Sequence, residues 1–195
     1  LETEIKFLKS QVNPHFLFNS LHNIYGLTIL QPDLAADQLL KLSDILRYML
    51  YDSNEDQVPL EREVEYLKNY IELAQLKDSR GMDIRFEVGN GMGGLKVSPL
   101  LFIPFVENAF KHSQIEDLEN GFIHISVKTE GSRLIFKVDN SKPKHDYTKD
   151  KVGGIGLANV QQRLRLLYPG KHQLQIDETD HAFKVHLELD CAWET

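Results

Sequence analysis

A chain of 195 residues, 42% hydrophobic and 26% charged, has globular composition with room for one large or two small cores, which excludes disorder over its whole length. Its 29 acidic against 22 basic residues give a formal charge of -7, which repels polyanions, so no nucleic-acid partner is expected. The single cysteine, Cys191, excludes an internal disulfide framework or a multi-cysteine zinc site and suits a reducing cytosol; no run reaches the roughly 20 apolar residues of a membrane-crossing helix, and no signal-peptide pattern opens the chain.

From the first residue to about Lys77 the apolar spacing is helical, interrupted only at Gln31-Pro32-Asp33 and around Asp52 to Pro59. Ile5, Leu8 and Val12 form one stripe, and the next helix carries Leu39, Leu42, Ile45, Leu46 and Met49 on one side. Two such helices make a hairpin too short to bury both stripes by itself. A homodimeric four-helix bundle is the economical solution. A third helix is predicted from about Leu60 to Lys77, with Val64, Leu67, Ile71 and Leu76 inward.

After Gly81 the pattern changes to alternation, with Ile84, Phe86 and Val88 on one face before a turn through Gly89, Gly91, Gly93 and Gly94. Ser98-Pro99 reads as the cap and first residue of a helix running to His112. Strands follow at Phe122 to Thr129 and Leu134 to Asp139. A polar loop then leads to a helix from Leu157 to Tyr168, closed by Pro169-Gly170, and the last strands are Gln173 to Asp177 and Ala182 to Leu189. The fold class is therefore α + α/β: a helical hairpin region over residues 1–80 forming a dimeric four-helix bundle, then an α/β sandwich over residues 81–195.

Two sets of residues carry chemistry. The first is Asn13-Pro14-His15-Phe16-Leu17-Phe18-Asn19, followed by His22-Asn23. A proline within a helix removes a hydrogen bond and kinks it, at about 3 kcal/mol, so Pro14 before His15 calls for a reason such as exposing the imidazole. His15, Asn19 and His22 stand at i, i+4 and i+7 on one face, while Leu17, Leu21 and Ile24 supply an apolar face. A helix-borne nucleophile needs that arrangement. A polar bundle interface explains the same residues, and a metal site is the weakest option because no carboxylate or thiolate stands at ligand spacing.

The second set lies in the α/β region. Val106-Glu107-Asn108-Ala109-Phe110-Lys111-His112 ends a helix, Asp139-Asn140-Ser141 ends a strand, and Gly154-Ile155-Gly156-Leu157-Ala158-Asn159 opens a helix. Asn108 offers a neutral oxygen to Mg²⁺, and Lys111, a turn further on, can meet a phosphate. Asp139 can accept from an adenine amino group. Gly154 and Gly156 let backbone approach phosphates at a helix N-terminus. The intervening loop, with Lys142, Lys144, Lys149 and Lys151, reads as a mobile lid.

Together, Asn-Pro-His-Phe-Leu-Phe-Asn and Val-Glu-Asn-Ala-Phe-Lys-His resemble the LytS-type sensor histidine kinases of two-component signal transduction, followed by their ATPase domain of the gyrase, heat-shock chaperone, histidine kinase and MutL fold. The resemblance implies that His15 is the phosphoacceptor; where many of the family place an acid beside it this chain has Phe16, which leaves Glu107 of the nucleotide site as a candidate acid, and Asn19, one turn away, can orient the imidazole. It assigns Asn108 to Mg²⁺ and Asp139 to adenine, and it places Lys111, His112, Asn140, Gly154, Gly156, Leu157 and Asn159 around ATP. It implies a homodimer, a response regulator with an acceptor aspartate, and a cytoplasmic domain of an inner-membrane sensor anchored by segments outside this chain. The family's Asp-x-Gly-x-Gly reads here Asp139-Asn140-Ser141-Lys142-Pro143, without either glycine. The alternatives are a degenerate ATP-binding signalling module and an ATPase or serine kinase of the same fold.

Overall fold

The computed structural model describes residues 14–76, 81–143 and 154–192. Helices α1 (Pro14–Leu30) and α2 (Pro32–Leu50) are separated by Gln31 alone. Pro32 fits the first turn of α2, where no amide bond is lost, and it stops α1 from running on. A single 3-10 turn (Asp52–Asn54) and the two-residue strand β1 (Val58–Pro59) lead into α3 (Leu60–Gln75). Then come β2 (Asp83–Val88), β3 (Lys96–Val97), α4 (Ile103–His112), β4 (Phe122–Glu130), β5 (Arg133–Ser141), α5 (Gly154–Leu167), β6 (His172–Glu178) and β7 (Ala182–Asp190).

The main sheet has the order β2-β4-β5-β7-β6, with β2 parallel to β4 and every other pair antiparallel. The β4–β5 hairpin closes through Gly131-Ser132. A tight turn needs positive φ, and Gly131 supplies it at 63°. Period-two alternation sends Ile123, Ile125 and Val127 of β4, Leu134, Phe136 and Val138 of β5, and Val185, Leu187 and Leu189 of β7 into the core. The opposite face carries charge: Arg85, His124, Asp139, Lys184 and Asp177 are successive partners across the strands. Helices α4 and α5 cover the apolar face.

Helix α3 packs against α2 on one side and against α4 and β3 on the other. Val64, Leu67 and Ile71 are buried as their spacing predicts, and the Leu60 amide donates to the Leu95 carbonyl at 2.9 Å beside the β1–β3 pair. Apolar contact runs continuously from Ile24 of α1 to Leu189 of β7. The stripe of Ile5, Leu8 and Val12 and the chain before Pro14 lie outside the described residues. Within the single chain Leu21 and Leu39 are 48% and 52% exposed.

The segment 98–102 departs from the sequence expectation. Ser98-Pro99 opens no helix; α4 begins at Ile103, with Pro104 in its first turn. Leu100 sits at φ 55°, a left-handed conformation that forbids a helix running through it. The Ser98 amide donates to the Tyr168 hydroxyl, and the next amides turn toward α3.

Gly121 enters β4 through a crowded turn. A Cβ there would stand 2.0 Å from the Gln114 carbonyl oxygen and 2.6 Å from that of Asp117. Both are backbone atoms, so the turn itself must open. Gly121→Ala is expected to lower stability by about 1–3 kcal/mol, read as a fall in the urea midpoint with no change in its slope.

Candidate active site

A cavity of about 1110 Å³ opens between α1, α3 and α4. His15, Asn19 and His22 of α1 line one wall, Tyr66 and Tyr70 of α3 form part of the floor, and Glu107, Asn108, Lys111 and His112 of α4 line the facing wall. Gly156 of α5 and Pro143 contribute to its border. The two motifs, far apart in the chain, share one space.

His15 is exposed at the start of the described part of α1. The Asn19 amide nitrogen lies 3.2 Å from His15 Nδ1 and 3.3 Å from Nε2. Phe16, next in sequence, stacks on Tyr70 with ring centroids 4.2 Å apart, and Tyr70 meets Phe110 of α4 edge-on at 6.2 Å. Burial, and behind it the charge of Glu107, pushes the phenols of Tyr66 and Tyr70 above the usual tyrosine range.

Behind the cavity lies a buried polar network. Glu63 of α3 is 0% exposed. Its carboxylate accepts from the amides of Leu100 (2.9 Å), Leu101 (2.9 Å) and Phe102 (3.4 Å) and from the Tyr48 hydroxyl of α2. Burial raises this carboxyl above the ordinary glutamate range, while its hydrogen-bond donors and the Arg163 charge pull it back. Arg163 of α5 donates to the carbonyls of Leu100 and Pro99, each at 2.8 Å, and to Ser98 Oγ at 3.3 Å. Leu100 is thus gripped on its amide by Glu63 and on its carbonyl by Arg163, which is how its left-handed conformation is held. Composition and spacing drew no attention to either charge. The available signal was position: Glu63 interrupts the apolar line Leu60, Val64, Leu67, and Arg163 interrupts Val160, Leu164, Leu167.

The strand-end residues separate. Asp139 stands on the charged outer face of the sheet between His124 and Lys184, away from the helices. Asn140 faces the interior at 1% exposure; its amide donates to the Ser141 carbonyl at 2.8 Å, and its Oδ1 has no partner among the described residues. Gly154 opens α5 and Gly156 borders the cavity, with open space where a Cβ would stand. Leu157 packs partly into the core, and neither it nor Asn159 lines the cavity. Lys142 pairs with Glu178 at the sheet edge. Lys144, Lys149 and Lys151 of the expected lid lie outside the described residues.

No group of three His, Cys, Asp or Glu that could hold a metal occurs among the described residues. The side-chain oxygen of Asn108 on the cavity wall fits Mg²⁺, which takes one or two protein ligands and completes its shell with phosphate oxygens and water. None of the described helices is long and apolar enough to cross a membrane.

A family model described as histidine kinase matches residues 3–80. The sensor protein LytS of Oceanobacillus iheyensis is 31% identical over 96% of this chain and 34% of its own length. The sensor histidine kinase YpdA of Escherichia coli is 30% identical over 94% of this chain and 34% of its own length. The chain thus spans about a third of the length of the curated relatives it matches. In fold it is similar to the catalytic domain of histidine kinase ThkA, with TM-score 0.51 and 17% identity over 69% of this chain and 96% of that one. Residues 3–80 thus match the histidine kinase family, and nearly the whole chain is similar to the LytS-type sensor kinases.

Proposed function

We propose that this chain is the core of a sensor histidine kinase, which phosphorylates His15 from MgATP and passes the phosphoryl group to an aspartate of a response regulator. The carrying observation is the shared cavity: His15 and Asn19 on one wall, Glu107, Asn108 and Lys111 on the other. Asn108 would hold Mg²⁺, which neutralises phosphate charge and orients the γ-phosphoryl group. Lys111 and His112 meet phosphate oxygens, and the backbone at Gly154 and Gly156 receives them at the N-terminus of α5. Asn140 takes the base contact expected of Asp139, since its buried Oδ1, without a partner among the described residues, accepts from an adenine amino group while Asp139 stands on the outer face of the sheet. Glu107 takes up the proton released from the imidazole.

The protein acts as a homodimer. Phe18, Tyr25 and Ile29 of α1 are 72%, 66% and 71% exposed, and Leu40 and Leu50 of α2 are also bare, a stripe that a second hairpin covers to complete a four-helix bundle. The module works in the cytoplasm, with any membrane anchor in segments outside this chain. The 1–80 and 81–195 division follows as the phosphotransfer and ATP-binding halves.

Incubation with γ-labelled ATP and Mg²⁺ tests the reading. The expected product is an acid-labile, alkali-stable label that mass spectrometry assigns to the peptide containing His15. Measurable ATP binding without such a label would replace it with the degenerate signalling module.

A further inference from the structure

A phosphoacceptor on a dimeric bundle can be served by the nucleotide of its own chain or by that of its partner. We propose that transfer in this protein occurs within one chain, and that Tyr70 is the positioning residue that docks the His15 helix over its own nucleotide cavity. The proposal rests on His15 being the phosphoacceptor.

The first support is the division of faces on α1. His15, Phe16, Asn19, Ser20 and Asn23 line the cavity, whereas Phe18, Leu21, Tyr25 and Ile29 point outward. At 100° per residue the two sets are centred roughly 150° apart. A second chain that covers the outward stripe therefore leaves the cavity face where it is. Ser20 and Ile24, 2% and 5% exposed, are already buried within the chain, so turning His15 toward a partner would uncover them.

The second support is the aromatic column. Phe16 is the immediate neighbour of His15, and Phe110 lies between Asn108 and Lys111 on α4. Tyr70, 5% exposed, touches both: stacked on Phe16 with 23° between the planes, and edge-on to Phe110 at 71°. Offset stacking and an edge contact are the two preferred aromatic geometries, and together they fix α1 against α4 in separation and roll. Positioning of this kind is what in-line transfer requires. A neutral imidazole nitrogen donates its lone pair to the γ-phosphorus and the P–N bond forms. The bond from that phosphorus to the β,γ-bridging oxygen breaks, ADP leaves with the electron pair, and the proton on the other ring nitrogen is released.

Mixed dimers decide the matter. Chains carrying His15→Gln and chains carrying Asn108→Ala, differently tagged, are co-expressed and purified through both tags. No protomer then holds both an acceptor and an intact nucleotide site, and the mixed dimer is expected to incorporate no more label than either parent homodimer. Label on His15 of the Asn108→Ala chain overturns the proposal.

Tyr70→Leu in the wild-type background is expected to lower kcat for His15 labelling at least tenfold with KM for ATP and ATP affinity unchanged. Tyr70→Phe, which keeps the ring, restores most of that rate, and Phe16→Leu reproduces the loss from the other side of the stack. A wild-type rate in Tyr70→Leu, or a raised KM at unchanged kcat, removes the positioning role. If the wild-type chain itself takes no label at His15, the reading beneath the proposal fails, and that result is read separately from the mixed dimers.

Discussion

His15→Gln is expected to abolish the acid-labile label while leaving ATP binding and folding intact. The imidazole is exposed, and its recorded partner is Asn19 on the same helix, so no buried contact is lost. An exposed helical substitution of this kind changes stability by no more than about 0.5 kcal/mol. Glutamine still offers Asn19 a carbonyl to donate to, so local geometry is kept. What disappears is the ring lone pair, and a carboxamide is no substitute for it as a nucleophile toward phosphorus. A fall of at least about 1000-fold in labelling, worth roughly 4 kcal/mol of barrier, is the minimum consistent with a lost nucleophile. Thermal melting and nucleotide titration provide the controls. A His15→Gln protein that still labels would point to His22 or His112, which line the same cavity.

The histidine face was legible because a helix has a fixed period. His15, Asn19 and His22 needed only the 3.6-residue repeat to be placed together, and all three reach the cavity. The five strands of the main sheet were legible for the same reason at period two, within one or two residues at each end, whereas the two-residue strands β1 and β3 were not. The identical rule separates Asp139 from Asn140: Leu134, Phe136 and Val138 face inward, so residue 140 shares their face and residue 139 does not. Motif position points to the aspartate, whereas alternation puts its neighbour on the inner face.

Segment 98–102 was illegible for a different reason. Ser-Pro is a sound local helix start, but the amides of Leu100 to Phe102 are claimed by Glu63, 37 to 39 residues earlier, and the carbonyls of Pro99 and Leu100 by Arg163, more than 60 residues later. Local propensity cannot compete with partners of that kind, and no window of neighbouring residues contains them. The Phe16, Tyr70 and Phe110 column escaped notice likewise, because each member reads as an ordinary apolar residue on its own helix.

Glu63→Gln is expected to cost about 3–5 kcal/mol, although the side chains match in size. Every partner of this carboxylate is a donor: three amides, the Tyr48 hydroxyl and, at longer range, the Arg163 charge. Two carboxylate oxygens accept from all four hydrogen-bond donors. A glutamine presents one oxygen and one NH₂ group, so at least one backbone amide faces another donor with no water to replace the lost bond. Arg163 meanwhile loses the negative charge whose longer-range attraction offsets part of its burial, which adds to the cost. For a chain of this length the melting temperature should fall on the order of 10 °C. Tyr48→Phe separates the contributions, because it removes a single donor and leaves the three amides paired, so it should cost only about 1 kcal/mol. The loss also reaches the site: once the amides of Leu100 to Phe102 are released, nothing on the α3 side holds Leu100 at positive φ. The start of α4, and with it Asn108 and Lys111, then loosens. Glu63→Gln protein assayed below its lowered melting point should show a raised KM for ATP, whereas Tyr48→Phe should not. A Glu63→Gln protein as stable as the wild type would mean that the carboxyl is protonated in the native state and that the network is neutral.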